Sequence, residues 1–244
     1  MSNDPPRPLP ADAAAFRLRA LDGRRHVSRL ARSVHSGRVA AQLREAILGG
    51  QLPAGTPLVE MRLAEQLGVS RGPVRSALQT LETEGLVRML RNGRTESRGF
   101  DRDDLHDLFL VRFELESTAI QWGVARHSDL APVSEAFESI EREGAATRHL
   151  VDLDVEYHRA VVEFSGSRFL VNAWLAVAPV IQAAIAIGNR ELATRDPAST
   201  YARIVESHGK LNEALAAYDA EAACRLLAKQ FTLTQSMFWK GASA

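Results

Sequence analysis

The sequence predicts a mainly α-helical chain in two parts, a small basic module near the N-terminus and a C-terminal antiparallel bundle of about six helices. The first observation is charge. Residues 1–100 hold 16 Arg, no Lys and 9 acidic residues, whereas residues 101–244 hold 14 basic and 21 acidic residues. The second is periodicity, because helical spacing of apolar residues runs through the chain after Phe100 without a strand signal. A basic part joined to an acidic part indicates that the first binds a polyanion and the second has another task.

Composition excludes several classes of protein. The chain has 244 residues, enough to bury a core without staples, and its single cysteine, Cys224, excludes a disulfide framework and fits a reducing compartment. The most apolar stretch, Phe169–Gly188, is interrupted by polar residues and proline, so it predicts a buried core helix and not a membrane span. Charged residues also break the apolar residues near the N-terminus, which argues against a secretory signal. We therefore expect a cytoplasmic protein with no membrane partner.

The N-terminal elements begin with a predicted flexible arm over residues 1–35, where Pro and Arg are common and apolar periodicity is weak. Residues 36–99 are expected to form one small domain. Its first helix has apolar residues at helical spacing from Val39 and ends at Gly49-Gly50. The segment Leu52–Pro57 has the composition of a turn, and two short helices and a hairpin follow.

The segment Leu63–Arg75 has the spacing of a helix-turn-helix. Ala64 is small enough to let a second helix cross closely, Gly68 can adopt the positive φ of a tight turn, and Val74 fills the core between the helices. Ser70 is placed to cap the second helix. This pattern predicts a module that inserts its second helix into a groove of DNA.

Cations cluster on the exposed side of this module. Arg71 and Arg75 lie one turn apart at the start of the second helix and face away from its core, where each can bind guanine or a phosphate. Asn92-Gly93 is a strong hairpin signal, and Arg91 and Arg94 flank it. A basic hairpin directly after a recognition helix predicts a wing that lies along a minor groove or the backbone.

These motifs resemble the winged helix-turn-helix of the GntR family of bacterial transcription regulators. The residues that carry the resemblance within 39–98 are Ile47–Gly55, Leu63-Ala64, Ser70–Leu78 and Leu81–Val87. The resemblance implies that Arg71, Arg75 and Gly93 contact operator DNA and that Arg62 lies near its backbone. Gly72 departs from the family pattern, which commonly has a hydroxyl residue there, so its backbone amide is the group left to meet a phosphate. The expected DNA-binding residues are Arg62, Ser70, Arg71, Gly72, Arg75, Gly93 and Arg94.

Six helices are predicted in the C-terminal part, over 102–126, 129–145, 148–165, 168–188, 197–217 and 219–239, within a domain over residues 101–240. The apolar stripe of the first runs from Leu105 to Trp122. A polar side chain on or beside such an inward stripe needs a hydrogen-bond partner. Five polar residues of this sequence have such positions: Arg112, Asp154, His158, His208 and Gln230. They form either a ligand or metal cavity or a satisfied structural network, and spacing alone does not decide between the two.

Residues 102–239 resemble the FCD domain, the effector-binding module of the FadR subgroup of GntR regulators. The resemblance rests on Arg112–Glu116, on Asp154–His158 and on the residues from His208 to Gln230. Many members hold a divalent metal with one Asp and three His and bind a small carboxylate beside it.

The resemblance therefore implies a Zn, Ni or Mn type ion on Asp154, His158 and His208. Gln230 stands where metal-binding members have the third histidine, and a neutral amide is a weaker ligand. Either a weakened three-ligand site remains, completed by water or effector, or the effector binds without metal. Arg112 is expected to neutralise the effector carboxylate, with Gln230 beside it.

The sequence thus predicts a homodimeric transcription factor, a repressor, whose two winged helices bind palindromic operator DNA with an affinity set by a small carboxylate effector. One alternative is a metal-dependent enzyme built on Asp154, His158 and His208. The sequence offers no further general base or nucleophile motif for it, and the basic module would be unexplained. A second alternative is a DNA-binding protein whose filled core takes no ligand.

Overall fold

The computed structural model describes residues 29–144, 149–195 and 197–241, and their side chains except in 29–34, 189–197 and 232–241. Within these ranges the chain forms nine helices and one two-stranded sheet. It divides into an N-terminal unit, Met1–Phe100, and a C-terminal unit, Asp101–Ala244. The predicted fold class, a mainly α-helical chain with a small hairpin and a helical bundle, is confirmed.

The N-terminal unit contains α1 (Arg29–Leu48), α2 (Glu60–Leu67), α3 (Arg71–Thr83), β1 (Val87–Met89) and β2 (Thr95–Ser97). The C-terminal unit contains α4 (Arg102–Ala125), α5 (Ala131–Glu143), α6 (Leu150–Glu163), α7 (Arg168–Arg195), α8 (Pro197–Ala216) and α9 (Ala220–Gly241). The predicted bounds of these six helices agree within two residues, except that α7 continues beyond residue 188 to Arg195. Residues 1–28 of the predicted arm lie outside the described residues, and residues 29–35 belong to α1, so the arm was predicted too long.

The helix-turn-helix forms as the spacing predicts. Gly68 ends α2 in the left-handed region with φ 66°, and Val74 is fully buried where α3 packs against α1 and α2. A second contact joins the first and third helices. Arg44 of α1 donates two hydrogen bonds, of 2.8 and 2.6 Å, to the carboxylate of Glu84 directly after α3. Both side chains of this ion pair are about nine-tenths buried, so it fixes the end of α3 on α1.

The wing is an antiparallel hairpin in which Val87 pairs with Ser97 and Met89 with Thr95. Its turn is longer than the two-residue turn that Asn92-Gly93 predicts. The Leu90 amide donates to the Arg94 carbonyl, which leaves three residues in the loop, and Gly93 adopts φ 75° there. The hairpin therefore presents a wider tip than the sequence predicts.

The bundle is organised around α4, which packs against α6, α7 and α9. Asp101 begins this helix with a capping box that it shares with Asp104. Large side chains fill the core with almost no exposure, among them Phe109, Ile120, Tyr157, Trp174 and Leu211. This packing turns one side of α4, α6 and α8 inward and brings their polar residues together.

Helix α7 contains, at Arg168–Gly188, a stretch long and apolar enough to cross a membrane by length and composition. A core helix of a soluble bundle has the same composition. Trp174, Ile181 and Ala184 of this stretch are buried inside the unit, whereas Phe169 is 70% exposed. The buried side of α7 is thus part of the bundle core.

Gly123 of α4 marks the closest contact in the bundle. A Cβ added to Gly123 would lie 2.7 Å from Cγ of the buried Phe164 ring, and nearer still to other atoms of that ring. We expect Gly123→Ala to destabilise the C-terminal unit by about 1–3 kcal/mol, because an overpacked core must shift its backbone or rotamers. The melting temperature, measured by circular dichroism, should fall by about 2–10 °C.

The matched control is Gly37→Ala in α1, where an added Cβ meets nothing within 4 Å. That variant should melt at the wild-type temperature or slightly above it, since Ala favours a helix over Gly. A Gly123→Ala protein as stable as the Gly37→Ala protein would contradict the packing described here.

Candidate functional site

The N-terminal unit exposes the two arginines that are predicted to recognise DNA, called the recognition arginines below. Arg71 and Arg75 lie at the start of α3, and their side chains are 63% and 60% exposed. Arg62 on α2 is also exposed, as are Gly93 and Arg94 at the wing tip. The structure thus leaves these predicted DNA-binding residues accessible on the surface of the unit.

Two neighbouring positions refine the sequence analysis. Ser70 occupies the N-cap position of α3, but its side chain makes no capping hydrogen bond, so the predicted cap is wrong. Its backbone is extended, as in other N-cap residues, and the residue is exposed, so water can take the hydrogen bond that the cap would have made. Gly72 faces open space, since an added Cβ would meet nothing within 4 Å. Both positions leave the surface at the start of α3 open.

A carboxylate that the sequence analysis did not single out contacts both recognition arginines. Glu60, the first residue of α2, accepts hydrogen bonds from Nε and Nη2 of Arg75 at 2.9 and 3.0 Å. It accepts another from Nη2 of Arg71 at 3.2 Å. The hydrogen bond from Arg75 holds the pKa of Glu60 below its usual value despite partial burial. No local spacing signals this contact, because the partners lie 11 and 15 residues away across the turn.

The C-terminal unit brings together the polar residues that its apolar stripes predict. Glu116 is fully buried and accepts a 2.8 Å hydrogen bond from Nε of Arg112, one turn earlier in α4. Its second oxygen lies 2.6 Å from Nδ1 of His158 on α6, and Nε1 of Trp174 donates to the first at 3.4 Å. One carboxylate therefore orients a guanidinium, an imidazole and an indole.

The imidazoles of His158 and His208 meet through their Nε2 atoms, 3.2 Å apart. Nδ1 of His208 lies 2.7 Å from the Ile204 carbonyl oxygen, which can only accept a hydrogen bond. Oδ1 of Asp154 lies 3.2 Å from Nε2 of His208 and 4.0 Å from Nε2 of His158. Because each ring uses Nδ1 as its donor, both neutral rings direct a lone pair at the same point as the carboxylate. A positive charge is needed there, either a proton on His208 or a metal ion.

Electrostatics in the cluster keep the carboxylates charged. Burial raises the pKa of Glu116, but His158 and Arg112 outweigh burial and hold it below the usual value. Burial likewise opposes ionisation of Asp154, yet the hydrogen bond that His208 donates when its Nε2 is protonated, together with the charges of neighbouring groups, depresses the Asp154 pKa strongly. Burial and the Arg112 charge lower the pKa of His158, which favours its neutral, ligating form.

A cavity of about 340 Å³ adjoins the cluster. Arg112, Asp154, His158, His208 and Gln230 all line it, so the five residues predicted to meet do share one cavity. Further cations on its wall escaped the sequence analysis because they lie on the polar sides of α8 and α9: Arg203, Lys210 and Lys229. The volume lies at the small end of the range for ligand pockets, which suits a small metabolite.

Together, a helix-turn-helix with a basic wing and a separate helical domain with a polar cavity define a two-domain class of DNA-binding protein. Family comparison assigns the class: residues 35–96 match the gntR family of bacterial regulatory proteins, and residues 107–232 match the FCD domain. The chain belongs to the GntR family and carries an FCD domain. It is a transcriptional regulator, and these families are regulators rather than enzymes.

Relatives agree with this assignment. The chain is 31% identical to a probable D-xylose utilization operon transcriptional repressor of Paenarthrobacter nicotinovorans, over 76% of this chain and 82% of the relative. It is 27% identical to the gluconate operon transcriptional repressor of Bacillus licheniformis, over 87% and 93% of the two chains. A putative L-lactate dehydrogenase operon regulatory protein of Escherichia coli is 26% identical, over 77% of this chain and 80% of that one.

Solved structures show the same fold. Lar, which controls expression of the Listeria monocytogenes agr system, aligns with a TM-score of 0.64 at 18% identity, over 84% of this chain and 96% of that chain. E. coli McbR/YncC aligns with a TM-score of 0.62 at 22% identity, over 85% and 98% of the chains. At these identities the alignments support the architecture alone.

The buried position of Glu116 predicts a specific acid sensitivity. The pKa of Glu116 is lower in the folded chain than its ordinary value of 4.5, so its ionised form stabilises the fold above about pH 4.5 and this contribution is lost as the pH falls further. Glu116→Gln should cost about 3 kcal/mol or more at pH 7, because Arg112 and His158 lose their charged partner. As the pH falls below about 4.5, the stability of Glu116→Gln should fall less steeply than that of the wild type.

Urea unfolding of chelator-treated protein, followed by tryptophan fluorescence, measures both effects. Glu114→Gln is the control, since Glu114 lies on the same helix and is exposed. It should follow the wild-type pH profile. Equal stability of Glu116→Gln and wild type at pH 7 would show that the cluster does not depend on this carboxylate.

Proposed function

We propose that this regulator is a repressor whose operator affinity is set by a small carboxylate effector, bound in the bundle cavity beside a divalent metal ion. The observation that carries the proposal is the meeting of His158, His208 and Asp154 on the wall of that cavity. A structural network would satisfy its own donors and acceptors. With both imidazoles neutral, three lone pairs converge here on the wall of a cavity that a ligand can enter, which supports the metal-binding interpretation.

The donor set fits a metal ion of the Zn, Ni or Mn type. Two of the three ligand separations are 3.2 Å, as expected for ligands that share one ion at about 2.0–2.2 Å. A histidine that binds a metal through Nε2 is usually oriented by a hydrogen bond from its Nδ1 atom. Nδ1 of His158 has Glu116 as this partner, and Nδ1 of His208 has the Ile204 carbonyl oxygen. Gln230, 9% exposed on the same cavity, supplies only a weak ligand, which leaves one side of the site to water or effector.

Charge balance connects the metal to the effector. With neutral imidazoles, Arg112, Glu116 and Asp154 carry a formal charge of −1, and Arg112 is already bonded to Glu116. These residues alone would repel a carboxylate. A bound divalent ion would supply the positive charge that a carboxylate oxygen can coordinate, and Arg112 would then add a donor from the cavity wall.

The outer wall of the cavity also favours an anion. Arg203, Lys210 and Lys229 line the cavity together with Arg112, whereas its lining carboxylates are Asp154 of the cluster and Glu206, which pairs with Lys210 at 2.5 Å. A small hydroxy acid or similar carboxylate would thus meet positive charge along the wall. Two relatives are named for gluconate and L-lactate dehydrogenase operons, which supports a carboxylate, whereas the relative named for D-xylose utilization is associated with an uncharged sugar.

On DNA, we propose that Arg71 and Arg75 contact base edges and that Ser70 and Gly72 meet a phosphate at the start of α3. Arg62 would approach the backbone, and Gly93 and Arg94 would place the wing tip along the minor groove. A single module of this size makes limited contact with DNA. Two modules on a palindrome would supply the affinity and specificity that an operator requires.

The C-terminal unit offers a surface for that homodimer. Helices α4 and α7 pack against each other and leave large apolar side chains exposed. Trp122 of α4, which the sequence places on an inward stripe, is 41% exposed, and Phe169 and Leu175 of α7 are 70% and 43% exposed. Covering such residues with a second copy would remove apolar surface from water. Effector binding would then shift the balance between operator-binding and released states of a cytoplasmic dimer.

The proposal predicts metal-dependent effector binding. Thermal shift of Zn²⁺-loaded protein with D-gluconate, L-lactate or succinate should show at least one compound that raises the melting temperature by about 5–10 °C near saturation. The same compound should weaken binding to a duplex that the protein selects from a random library. Chelator treatment and Asp154→Asn should each abolish the shift. Chelator removes the divalent ion and Asp154→Asn removes one of its ligands, so the effector carboxylate then has no bound ion to coordinate.

Asp152→Asn is the matched control, since Asp152 lies on the same helix but is exposed. It should behave as the wild type. If a carboxylate stabilises the chelated protein and the Asp154→Asn protein equally, the effector site does not use the metal. If no compound stabilises the loaded protein, the alternative of a ligand-independent DNA-binding protein is favoured.

A further inference from the structure

We propose that Glu60 is a positioning residue for base recognition: it holds Arg75 so that one edge of the guanidinium faces a guanine, and it keeps Arg71 and Arg75 from binding phosphates indiscriminately. This role belongs to a residue outside the surface expected to touch DNA. It concerns sequence selectivity and not the effector response.

The hydrogen-bond geometry defines which part of Arg75 remains available. A guanidinium has five N–H bonds, and Glu60 takes the Nε–H and one Nη2–H at 2.9 and 3.0 Å. The remaining edge carries two parallel hydrogens, one on Nη1 and one on Nη2. That pair matches O6 and N7 of guanine in the major groove. Glu60 thus selects the edge that Arg75 presents and restricts rotation of its plane.

The same carboxylate reduces the net charge of the recognition surface. It also accepts from Arg71, so one acid faces two cations at the start of α3. Phosphate binding depends mainly on net positive charge, whereas guanine recognition depends on orientation. The negative charge of Glu60 therefore lowers the affinity for DNA of any sequence more than it lowers the affinity for the recognised sequence.

Two observations argue against a purely structural role. The pair is exposed, and exposed ion pairs contribute little to stability. Three other carboxylates of this unit have partners away from the first turn of α3: Glu82 accepts from the Met89 amide, Glu84 pairs with Arg44, and Glu96 pairs with Arg88. The recognition arginines thus have a carboxylate of their own.

The experiment compares wild type with Glu60→Gln, which keeps the shape and removes the charge. Fluorescence anisotropy measures binding to a mixed-sequence duplex across a salt series and to the duplex that wild type selects from a random library. For Glu60→Gln, the plot of log affinity against log salt on mixed sequence should steepen by about one unit, and affinity near 0.1 M salt should rise up to about tenfold. The ratio of selected to mixed-sequence affinity should fall about fivefold or more.

Three variants separate positioning from other roles. Glu65→Gln removes the same charge from an exposed site on α2. It should change the salt slope, and the ratio of selected to mixed-sequence affinity, less than Glu60→Gln does. Glu60→Asp restores the charge and should recover part of the ratio. In an Arg75→Ala background, Glu60→Gln should no longer alter discrimination between the selected duplex and versions with one G·C pair changed to A·T, because the residue acts through Arg75.

Distinct results would overturn the proposal. Unchanged salt slope and unchanged ratio in Glu60→Gln would show that the carboxylate has no part in DNA recognition. Equal tightening on both duplexes would show that Glu60 only repels DNA, and equal weakening would show that it only supports the fold. If wild type prefers no duplex, base recognition by this unit fails as a whole, and the positioning role fails with it.

Discussion

The hydrogen bond between the Glu116 carboxylate and Nδ1 of His158 is the constraint on which the chemistry of the bundle depends. It fixes which nitrogen of His158 carries the proton, and so it directs Nε2 at His208 and Asp154. The same carboxylate holds Arg112 on the cavity wall. Without the Glu116 carboxylate, the guanidinium of Arg112 would be buried without its charged partner. The His158 ring would also lose the hydrogen bond that directs Nε2 towards His208 and Asp154.

The N-terminal unit uses a related device on its surface. Glu60 binds the planar groups of Arg71 and Arg75, as Glu116 binds Arg112 and the ring of His158. The environments differ, because Glu116 is fully buried whereas the Glu60 side chain is 26% exposed. Burial makes the first interaction a condition of folding, and exposure leaves the second free to serve recognition. In both cases a carboxylate sets the direction of a group for which we propose a ligand-binding role.

Much of this architecture is readable from the sequence because it depends on local periodicity. Gly68 and Val74 define the turn, and Asp154 and His158 share a helix face four residues apart. The contact of Glu60 with Arg75 is not readable in this way, since it crosses a turn between two helices. Trp122 follows the inward spacing of α4 yet is 41% exposed, because the packing of neighbouring helices decides where a stripe ends. Ser70 has the residue type of a cap, but its side chain does not make the bond.

We propose that His158 and His208 present two Nε2 lone pairs to one divalent ion. Long-range ¹H–¹⁵N correlation spectra of histidine-labelled, chelator-treated protein, assigned with His158→Gln and His208→Gln variants, test it most directly. Titration with Zn²⁺ should shift the Nε2 signals of both residues together while each Nδ1 remains protonated. Spectra in which neither Nε2 signal responds to the ion, or in which Nδ1 responds instead, would contradict the account.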